Sequence, residues 1–236
     1  MRKYLSILMS LLIVFSFCAC GKKDKSTESV KMQFKQRIAK VYPDGILGEK
    51  RIADFDSSGN MTKEVRYSVD GSILYTEEFK YDSEARLTEK TNNNGIYRYE
   101  YDKDGNLIRE TTCDKDGSIV RYSDYEYDFD ASGRITVRTE LSSSGELLSR
   151  VEYEYDSSGN RIKETFFREN VDLYTPSRIE SESDSSGRIV KESYIYEDGR
   201  NDYSIEYCYD ASGNLTGELY YTYSHGLRSW IVYEYI

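Results

Sequence analysis

One phrase recurs along the chain and constrains its fold more than any other feature. "EYDKDGNLIRE" runs from Glu100 to Glu110, "EYDSSGNRIKE" from Glu154 to Glu164, and "CYDASGNLTGE" from Cys208 to Glu218. Seven copies follow one another in steps of 26, 20, 28, 26, 28 and 26 residues. Their turns are centred on Gly59, Ala85, Gly105, Gly133, Gly159, Gly187 and Gly213. A period in this range indicates a repeat architecture.

The residues that precede each turn alternate between aromatic and charged types. In the copy that turns at Gly105, Tyr99 and Tyr101 alternate with Arg98 and Glu100. A period of two places the two classes on opposite faces of an extended strand, whereas a helix would scatter them around its circumference. Tyrosine and phenylalanine also favour strands. The pattern predicts a strand before each turn, with one aromatic face and one charged face.

The turns themselves indicate tight connections between strands. "DSSG", "DKDG" and "DASG" place Asp first and Gly last. Asp accepts a hydrogen bond from the backbone two residues on, and Gly adopts a positive φ without steric cost. Ala85 stands at the glycine position in "YDSEARL", so we expect it to be strained.

Further glycine turns lie between these copies, so each repeat holds two strands. Short connections make neighbouring strands antiparallel. The sequence therefore predicts an all-β fold over residues 41–236, a long antiparallel β-meander of about fifteen strands in seven two-strand repeats. We expect a single sheet that is curled or partly closed, because an exposed aromatic face and free edges need cover.

A targeting signal precedes the repeats. Arg2 and Lys3 are followed by an apolar run to Phe17 that is short for a membrane span. The run ends in "FCAC-G", which resembles the lipobox of bacterial lipoproteins. The resemblance implies a signal peptide over residues 1–19 and a diacylated Cys20 on the extracytoplasmic face of a bacterial membrane, as part of the cell envelope. An uncleaved anchor and an ordinary signal peptide are the alternatives.

Residues 20–40 form the lipidated cysteine and a basic tether. From Lys22 to Lys40 there are seven basic and two acidic residues, whereas the chain from Val41 onward carries 23 basic and 40 acidic ones. An acidic body makes nucleic-acid binding unfavourable. Anionic headgroups attract the tether and repel the body, although the lysines could equally serve only to solvate a linker.

The phrases "YEYDKDGNLIRE", "YEYDSSGNRIKE" and "YCYDASGNLTGE" resemble the YD repeat of Rhs and teneurin proteins. The similarity covers about Ile52 to Ile236. "SDSSGRI", from Ser183 to Ile189, departs from it by lacking the aromatic residue. The resemblance implies a curling β-sheet that can close into a shell around a toxin. Such shells need many more repeats, so we carry over the fold and not toxin delivery.

Two roles are open for the aromatic face. Its rings could pack against one another along the sheet, or they could bind a glycan or protein, since tyrosine is amphipathic and suits interfaces. The candidate residues for either role are Tyr99, Tyr101, Tyr127, Tyr153, Tyr155, Tyr207, Tyr209 and Trp230.

The residue patterns give no support to an enzyme, a metal site or a cofactor. The one histidine, His225, lies in a turn without a cysteine or metal-type partner nearby. The loop that starts at Asp128 is similar to a calcium loop, but Thr139 occupies the position of its final glutamate. Paired carboxylates recur in every repeat, whereas a catalytic pair should be a single departure from the pattern.

The sequence thus predicts a lipid-anchored envelope protein with a non-catalytic binding or scaffold surface. The alternatives are an accessory to an envelope hydrolase and a remnant or immunity partner of a toxin system.

Overall fold

The computed structural model describes residues 36–168, 175–223 and 226–236, with Arg168 described by its backbone alone. The predicted signal peptide, Cys20, most of the tether and His225 lie outside these residues. The described chain forms sixteen β-strands. Their bounds are β1 Gln36–Pro43, β2 Glu49–Phe55, β3 Met61–Ser68, β4 Ile73–Tyr81, β5 Leu87–Asn92, β6 Gly95–Tyr101, β7 Leu107–Cys113, β8 Ile119–Phe129, β9 Ile135–Ser142, β10 Leu147–Tyr155, β11 Arg161–Arg168, β12 Arg178–Ser183, β13 Ile189–Ile195, β14 Asn201–Tyr209, β15 Leu215–Thr222 and β16 Gly226–Tyr235.

The strands form one closed antiparallel barrel. Each strand pairs with its neighbours in the chain, and β1 pairs with β16 from Arg37 opposite Tyr235 to Pro43 opposite Ser229. The predicted all-β antiparallel meander is confirmed, but the sheet is fully closed rather than curled or partly closed. The physical reason is β1, which begins at Gln36 and takes in five residues, 36–40, of the predicted tether. It brings the strand count to an even number, so the first and last strands run in opposite directions.

The repeated turns close through one hydrogen-bond pattern, which the copy at Gly105 illustrates. The backbone N–H of Gly105 donates to the carbonyl of Asp102 over 3.2 Å, and the N–H of Asp102 donates to the carbonyl of Asn106 over 2.9 Å. Oδ1 of Asp102 accepts from the N–H groups of Asp104 and Asn106 at 2.9 and 2.8 Å. Gly105 has a φ of +90°. Asp and Gly are therefore required at these positions by the turn itself.

Ala85 occupies the glycine position with a φ of +62°, as the sequence predicts for a strained copy. Replacing Ala85 by glycine should raise the free energy of unfolding by about 0.5–1 kcal/mol, because glycine adopts this conformation without a steric penalty. The reverse change, Gly105→Ala, should lower it by about 1 kcal/mol, since its Cβ would meet open space and only the backbone would be strained. Urea unfolding of both variants measures the two shifts; shifts of the same sign would contradict this account.

The first Asp of each repeated turn has a lowered pKa. Its carboxylate accepts hydrogen bonds from the side chain or the backbone N–H of the residue that follows the glycine position. The seven residues are Asp56, Asp82, Asp102, Asp130, Asp156, Asp184 and Asp210.

These aspartates predict acid destabilisation. Each of these carboxylates has a lower pKa in the folded protein than in the unfolded chain, where the pKa of Asp is 3.8. It therefore adds stability at pH values above the unfolded pKa. This stability is lost as the pH falls through the lower, folded value. The melting temperature should therefore decrease below about pH 4. Circular dichroism melts between pH 6 and pH 2 test this. Asp102→Asn should flatten the decrease, and a decrease as steep as in the wild type would contradict the assignment.

The two faces of the barrel wall differ in chemistry. The tyrosines that precede each repeated turn point inward, together with the buried Ala53, Val151, Ile205 and Ile231. The outer face carries cross-strand ion pairs, such as Lys63 with Glu78 at 3.0 Å. Further outer pairs are Lys40–Glu234, Lys80–Glu89 and Lys163–Glu154. The barrel therefore has an aromatic and charged inner wall inside a charged, water-exposed outer wall.

The two ends of the barrel also differ. The seven Asp turns lie at the end where the described chain begins and finishes, and the N–H of Gln36 donates to the carbonyl of Ile236 over 3.1 Å. The opposite end carries aliphatic side chains that are 42–74% exposed. They are Ile46, Val69, Ile73, Leu74, Ile119, Val120, Leu147, Leu148 and Leu227. We call this set the aliphatic rim.

Sixteen strands set the size of the enclosed lumen. At about 4.8 Å between neighbours, the wall measures about 77 Å around, perpendicular to the strands. Barrels of this strand number are wide enough to enclose water in addition to their own side chains. Within the described residues there is no helix with the length and apolar character needed to span a membrane.

Candidate binding surface on the inner wall

Two positions of the repeat build the middle of the inner wall. The sixth residue before each turn position pairs across strands with the fifth residue after it, so both side chains share a face. Examples are Tyr99 opposite Glu110 and Tyr207 opposite Glu218. The other pairs are Ala53–Glu64, Phe79–Lys90, Tyr127–Arg138, Tyr153–Glu164 and Ser181–Glu192. A belt of charged groups therefore follows the aromatic residues around the lumen.

Four of the predicted binding tyrosines use their hydroxyls to tie neighbouring repeats together. Tyr101, for example, donates to the carbonyl oxygen of Leu87 over 2.8 Å. The other three bonds run from Tyr127 to Leu107, from Tyr155 to Ile135 and from Tyr209 to Ile189, at 2.8–2.9 Å. Each bond satisfies a carbonyl beside the preceding turn. These hydroxyls hold the wall together, and the ring faces are what the tyrosines present to the lumen.

Arginines cover several of those rings. The guanidinium carbon of Arg86 lies 5.2 Å from the ring centre of Tyr101, and that of Arg134 lies 4.7 Å from Tyr155. Arg188 covers Tyr209 at 4.9 Å. Such cation–π contacts stabilise each pair modestly and fix the rings in place.

The remaining three predicted tyrosines lie in the middle of the inner wall, next to the belt of charged groups. Tyr99 is 6% exposed, and its buried hydroxyl has no hydrogen-bond partner among the described residues. The ring of Tyr153 lies 5.6 Å from the guanidinium carbon of Arg161. Tyr207 donates to Glu192 over 2.6 Å. The structure therefore brings all seven predicted tyrosines onto one inner surface, where they are packed; their role in binding a ligand stays a prediction.

Trp230 does not belong to this surface. It lies on the outer face of β16 and stacks on Tyr42 of β1, with ring centres 5.5 Å apart. Its neighbour Ile231 points inward and is 6% exposed. Alternation along β16 thus places Trp230 at the seam that closes the barrel, away from the tyrosine ladder.

Carboxylates held by tyrosine hydroxyls are the part of the wall that the sequence analysis missed. Glu192 accepts from Tyr207 at 2.6 Å and from Tyr194 at 3.3 Å. Glu218 repeats the arrangement one copy later with Tyr233, at 2.6 Å, and with Tyr220. The recurrence of glutamate at the fifth position after the turn, in five of the seven copies, was the available signal.

The protonation of these tyrosines is fixed by burial. Burial, reinforced by the Glu192 carboxylate, raises the pKa of Tyr207 well above its usual range. Burial and Glu218 do the same for the pKa of Tyr233. Both hydroxyls therefore stay neutral donors to their carboxylates near neutral pH.

Charge is unevenly distributed around the lumen. The wall formed by β1–β3 carries Arg37, Arg51 and Arg66, with Glu64 held by Arg66 at 3.0 Å and by Arg37 at 3.8 Å. On β13–β15 the acidic side chains Glu192 and Glu218 are bonded by tyrosines instead. One side of the lumen therefore carries arginines paired with glutamates, such as Arg51 with Glu49, and the other side is acidic and aromatic.

The residues described here contain no group of three His, Cys, Asp or Glu side chains arranged to hold a metal ion. In the loop similar to a calcium site, Asp130 accepts from the backbone N–H groups of Ser132 and Arg134 at 2.8 and 2.9 Å. Its other oxygen bonds the Arg134 side chain at 2.7 Å. Turn chemistry therefore accounts for this loop.

Comparison with known proteins identifies the repeat. The family model described as Teneurin YD-shell matches residues 47–175, which are 129 of the 236 residues. The strands after β11 continue the same pattern beyond the matched range. No curated protein matches the chain.

Among solved structures, a porin-like protein from Bacteroides uniformis is similar in fold. Its TM-score is 0.55 at 11% identity, over 86% of this chain and 98% of that one. The Tc holotoxin pore of Photorhabdus luminescens aligns with a TM-score of 0.36 at 16% identity, over 78% of this chain and 12% of that one. The first likeness supports the barrel architecture alone.

Proposed function

The chain belongs to the teneurin YD-shell family, and we propose that its barrel is a lipid-anchored, non-catalytic binding shell of a bacterial envelope. In this proposal a glycan or a segment of a protein binds against the inner wall. The observation that carries the proposal is a closed barrel whose inner wall is lined by tyrosine rings, carboxylates and guanidinium groups. Convergent polar groups among aromatic rings are the usual lining of a ligand site.

The outer wall is less suited to specific binding. Its Lys–Glu pairs are exposed to solvent, and exposed pairs contribute little energy and are screened by salt. The inner wall instead offers rings whose positions are fixed by hydroxyl bonds and cation–π contacts. Side chains that are already ordered lose less entropy when a ligand binds. Preorganisation therefore favours the lumen as the binding surface.

An anchor at Cys20 would set the orientation of the barrel. Fifteen residues, 21–35, separate it from β1. Since β1 begins at the Asp-turn end, that end would face the membrane and the aliphatic rim would point away. The acidic turns and an anionic membrane would repel each other, which favours a barrel held off the surface.

Screening of the full chain in lipid nanodiscs on glycan and secreted-protein arrays tests the binding function. A matched pair of variants locates the site. Ser149 lies on the inner wall, where its hydroxyl donates to Glu140 over 2.9 Å, whereas Ser204 lies on the outer face of β14. Ser149→Trp should reduce the signal of any ligand found, and Ser204→Trp should leave it unchanged. The opposite response, or no ligand on either array, would overturn the proposal.

Lipidation is tested by metabolic labelling with a palmitate analogue. We expect Cys20→Ser to abolish the label and to release the protein from the membrane fraction, because no second acylation site is predicted. Cys18→Ser is the control and should retain the label, since bulky Phe17 disfavours cleavage before Cys18. Label that persists in Cys20→Ser and disappears in Cys18→Ser would place the anchor at the other cysteine.

A further inference from the structure

Strand β12 departs from the pattern of the inner wall. At the fourth and sixth positions before the turn it carries Ser183 and Ser181. Each of the other six copies has at least one aromatic residue at these two positions. The closed sheet keeps β12 in register between β11 and β13, so two serines stand on the lumen face at positions where other copies carry rings. We call this the β12 recess.

Two carboxylates flank the β12 recess. Glu192 of β13 lies directly opposite Ser181. Glu164 of β11 lies opposite Ile179, which is two residues from Ser181 and on the same face of β12. Glu164 is paired with Arg161 at 3.0 Å, and its side chain is 14% exposed. Glu192 is held by two neutral tyrosine hydroxyls.

The hydroxyl of Ser181 is a separate indication of a missing ligand. Ser181 is 7% exposed, and its Oγ is buried without a hydrogen-bond partner among the described residues. A buried hydroxyl without a partner is destabilising, so such groups are usually satisfied by a ligand or water. This hydroxyl lies on the lumen face of β12, at the repeat position where five other copies carry a ring.

The two carboxylates at the β12 recess differ in their cationic partners. Glu164 is paired with Arg161, and Arg138 also acts to lower its pKa, whereas Glu192 forms no ion pair among the described residues. Burial raises the pKa of Glu164, and the Glu192 carboxylate adds to that rise. A partly buried carboxylate without a cationic partner is costly, and a bound cation would relieve that cost.

We propose that the β12 recess binds the primary ammonium group of an amine-bearing ligand. An ammonium is a compact cation with three donors, which match the Glu192 carboxylate, the Ser181 hydroxyl and the Glu164 carboxylate. The ring of Tyr207, whose hydroxyl bonds Glu192, adds a face that attracts cations. This inference rests on the proposed lumen-binding function and names the chemical group that the lumen recognises.

Isothermal titration of the full chain in nanodiscs tests the assignment. The probe is the diamine cadaverine, and neutral pentanediol, which has the same carbon chain, is its control. We expect cadaverine to bind and pentanediol to show no heat of binding. Glu192→Gln should weaken cadaverine binding by about tenfold or more, because it removes a charged acceptor and keeps an amide oxygen for Tyr207.

Two further variants separate the site from general effects on the barrel. Ser181→Tyr restores the residue found in other copies, so it should fill the β12 recess and abolish binding while the melting temperature is kept. Glu182→Gln is the matched control, since Glu182 is next to Ser181 on β12 but lies on the outer face, where it pairs with Lys191 at 3.6 Å. It should leave cadaverine affinity within about twofold.

The inference is overturned if cadaverine does not bind the wild type, or if Glu192→Gln and Ser181→Tyr both bind it as the wild type does. It is also overturned if Glu182→Gln weakens binding as much as Glu192→Gln. Suppose that an array ligand loses its binding in Ser149→Trp and keeps it in Ser181→Tyr and Glu192→Gln. That result would support the binding shell and refute only the amine site. If the wild type binds neither cadaverine nor any array ligand, the amine site and the binding shell are both refuted.

Discussion

A chain that begins at Asp44, after β1, will not form the monomeric closed barrel. β1 makes seven residue pairs with β16 and six with β2, so its loss opens both seams. The two strands left at the edges were both antiparallel to β1 and therefore run parallel to each other. They cannot re-form the antiparallel pairing that the rest of the wall uses. Unpaired edges of this kind recruit other chains.

Comparison of that chain with one that begins at Gln36 measures the effect. We expect the longer chain to be a monomer with one cooperative melt. The shorter one should be oligomeric by light scattering, with a melting temperature lower by about 10–20 °C, which corresponds to about 5 kcal/mol. Trp230 is the single tryptophan and stacks on Tyr42 across this seam. Its fluorescence should therefore shift to the red when β1 is absent.

An unchanged mass and melting temperature in the shorter chain would show that β1 is not needed for closure. As an internal control, the Asp turns far from the seam should remain intact in the shorter chain. A red shift of Trp230 without oligomers would indicate an open but monomeric sheet, which would contradict the expected recruitment of other chains.

The strands were predictable because their pattern is local. Tyr99 and Tyr101 alternate with charged residues, and Asp102 and Gly105 define the turn that follows, so a dozen residues specify each hairpin. Closure was not predictable in the same way. "QRIAKVYP" in β1 has no aromatic ladder and begins within a basic stretch. Its place in the barrel depends on pairing with β16, nearly 200 residues away in the sequence.

The candidate site shows the same division between local and long-range information. The inward position of the seven tyrosines follows from alternation alone. The outward position of Trp230 follows from the same alternation, because it is next to the inward Ile231 on β16. By contrast, the bond from Tyr155 to the carbonyl of Ile135 joins residues 20 apart. The pairing of Ser181 with Glu192 likewise appears only when the register of the hairpin is known.

Gly95→Ala will be among the most destabilising single substitutions in the barrel. A Cβ on Gly95, at the start of β6, would lie 2.2 Å from the carbonyl oxygen of Cys113. That atom belongs to the backbone of β7, which pairs with β6 through Ile96 opposite Cys113 and cannot move independently. We expect a loss of about 3 kcal/mol or more in the free energy of unfolding, because a backbone overlap of this size must be relieved by shifting a strand.

Gly105→Ala is the matched control, because its Cβ would meet nothing within 4 Å. It should cost only the backbone strain of about 1 kcal/mol, so the melting temperature should decrease about three times as far in Gly95→Ala. Urea unfolding and thermal melts of the two variants give the comparison. Equal losses of unfolding free energy in the two variants would mean that β6 and β7 can move apart at Gly95 without disturbing their pairing. The close approach of the two strands would then contribute nothing to stability. A larger loss at Gly95 places the constraint in the contact between strands, since both variants add the same methyl group.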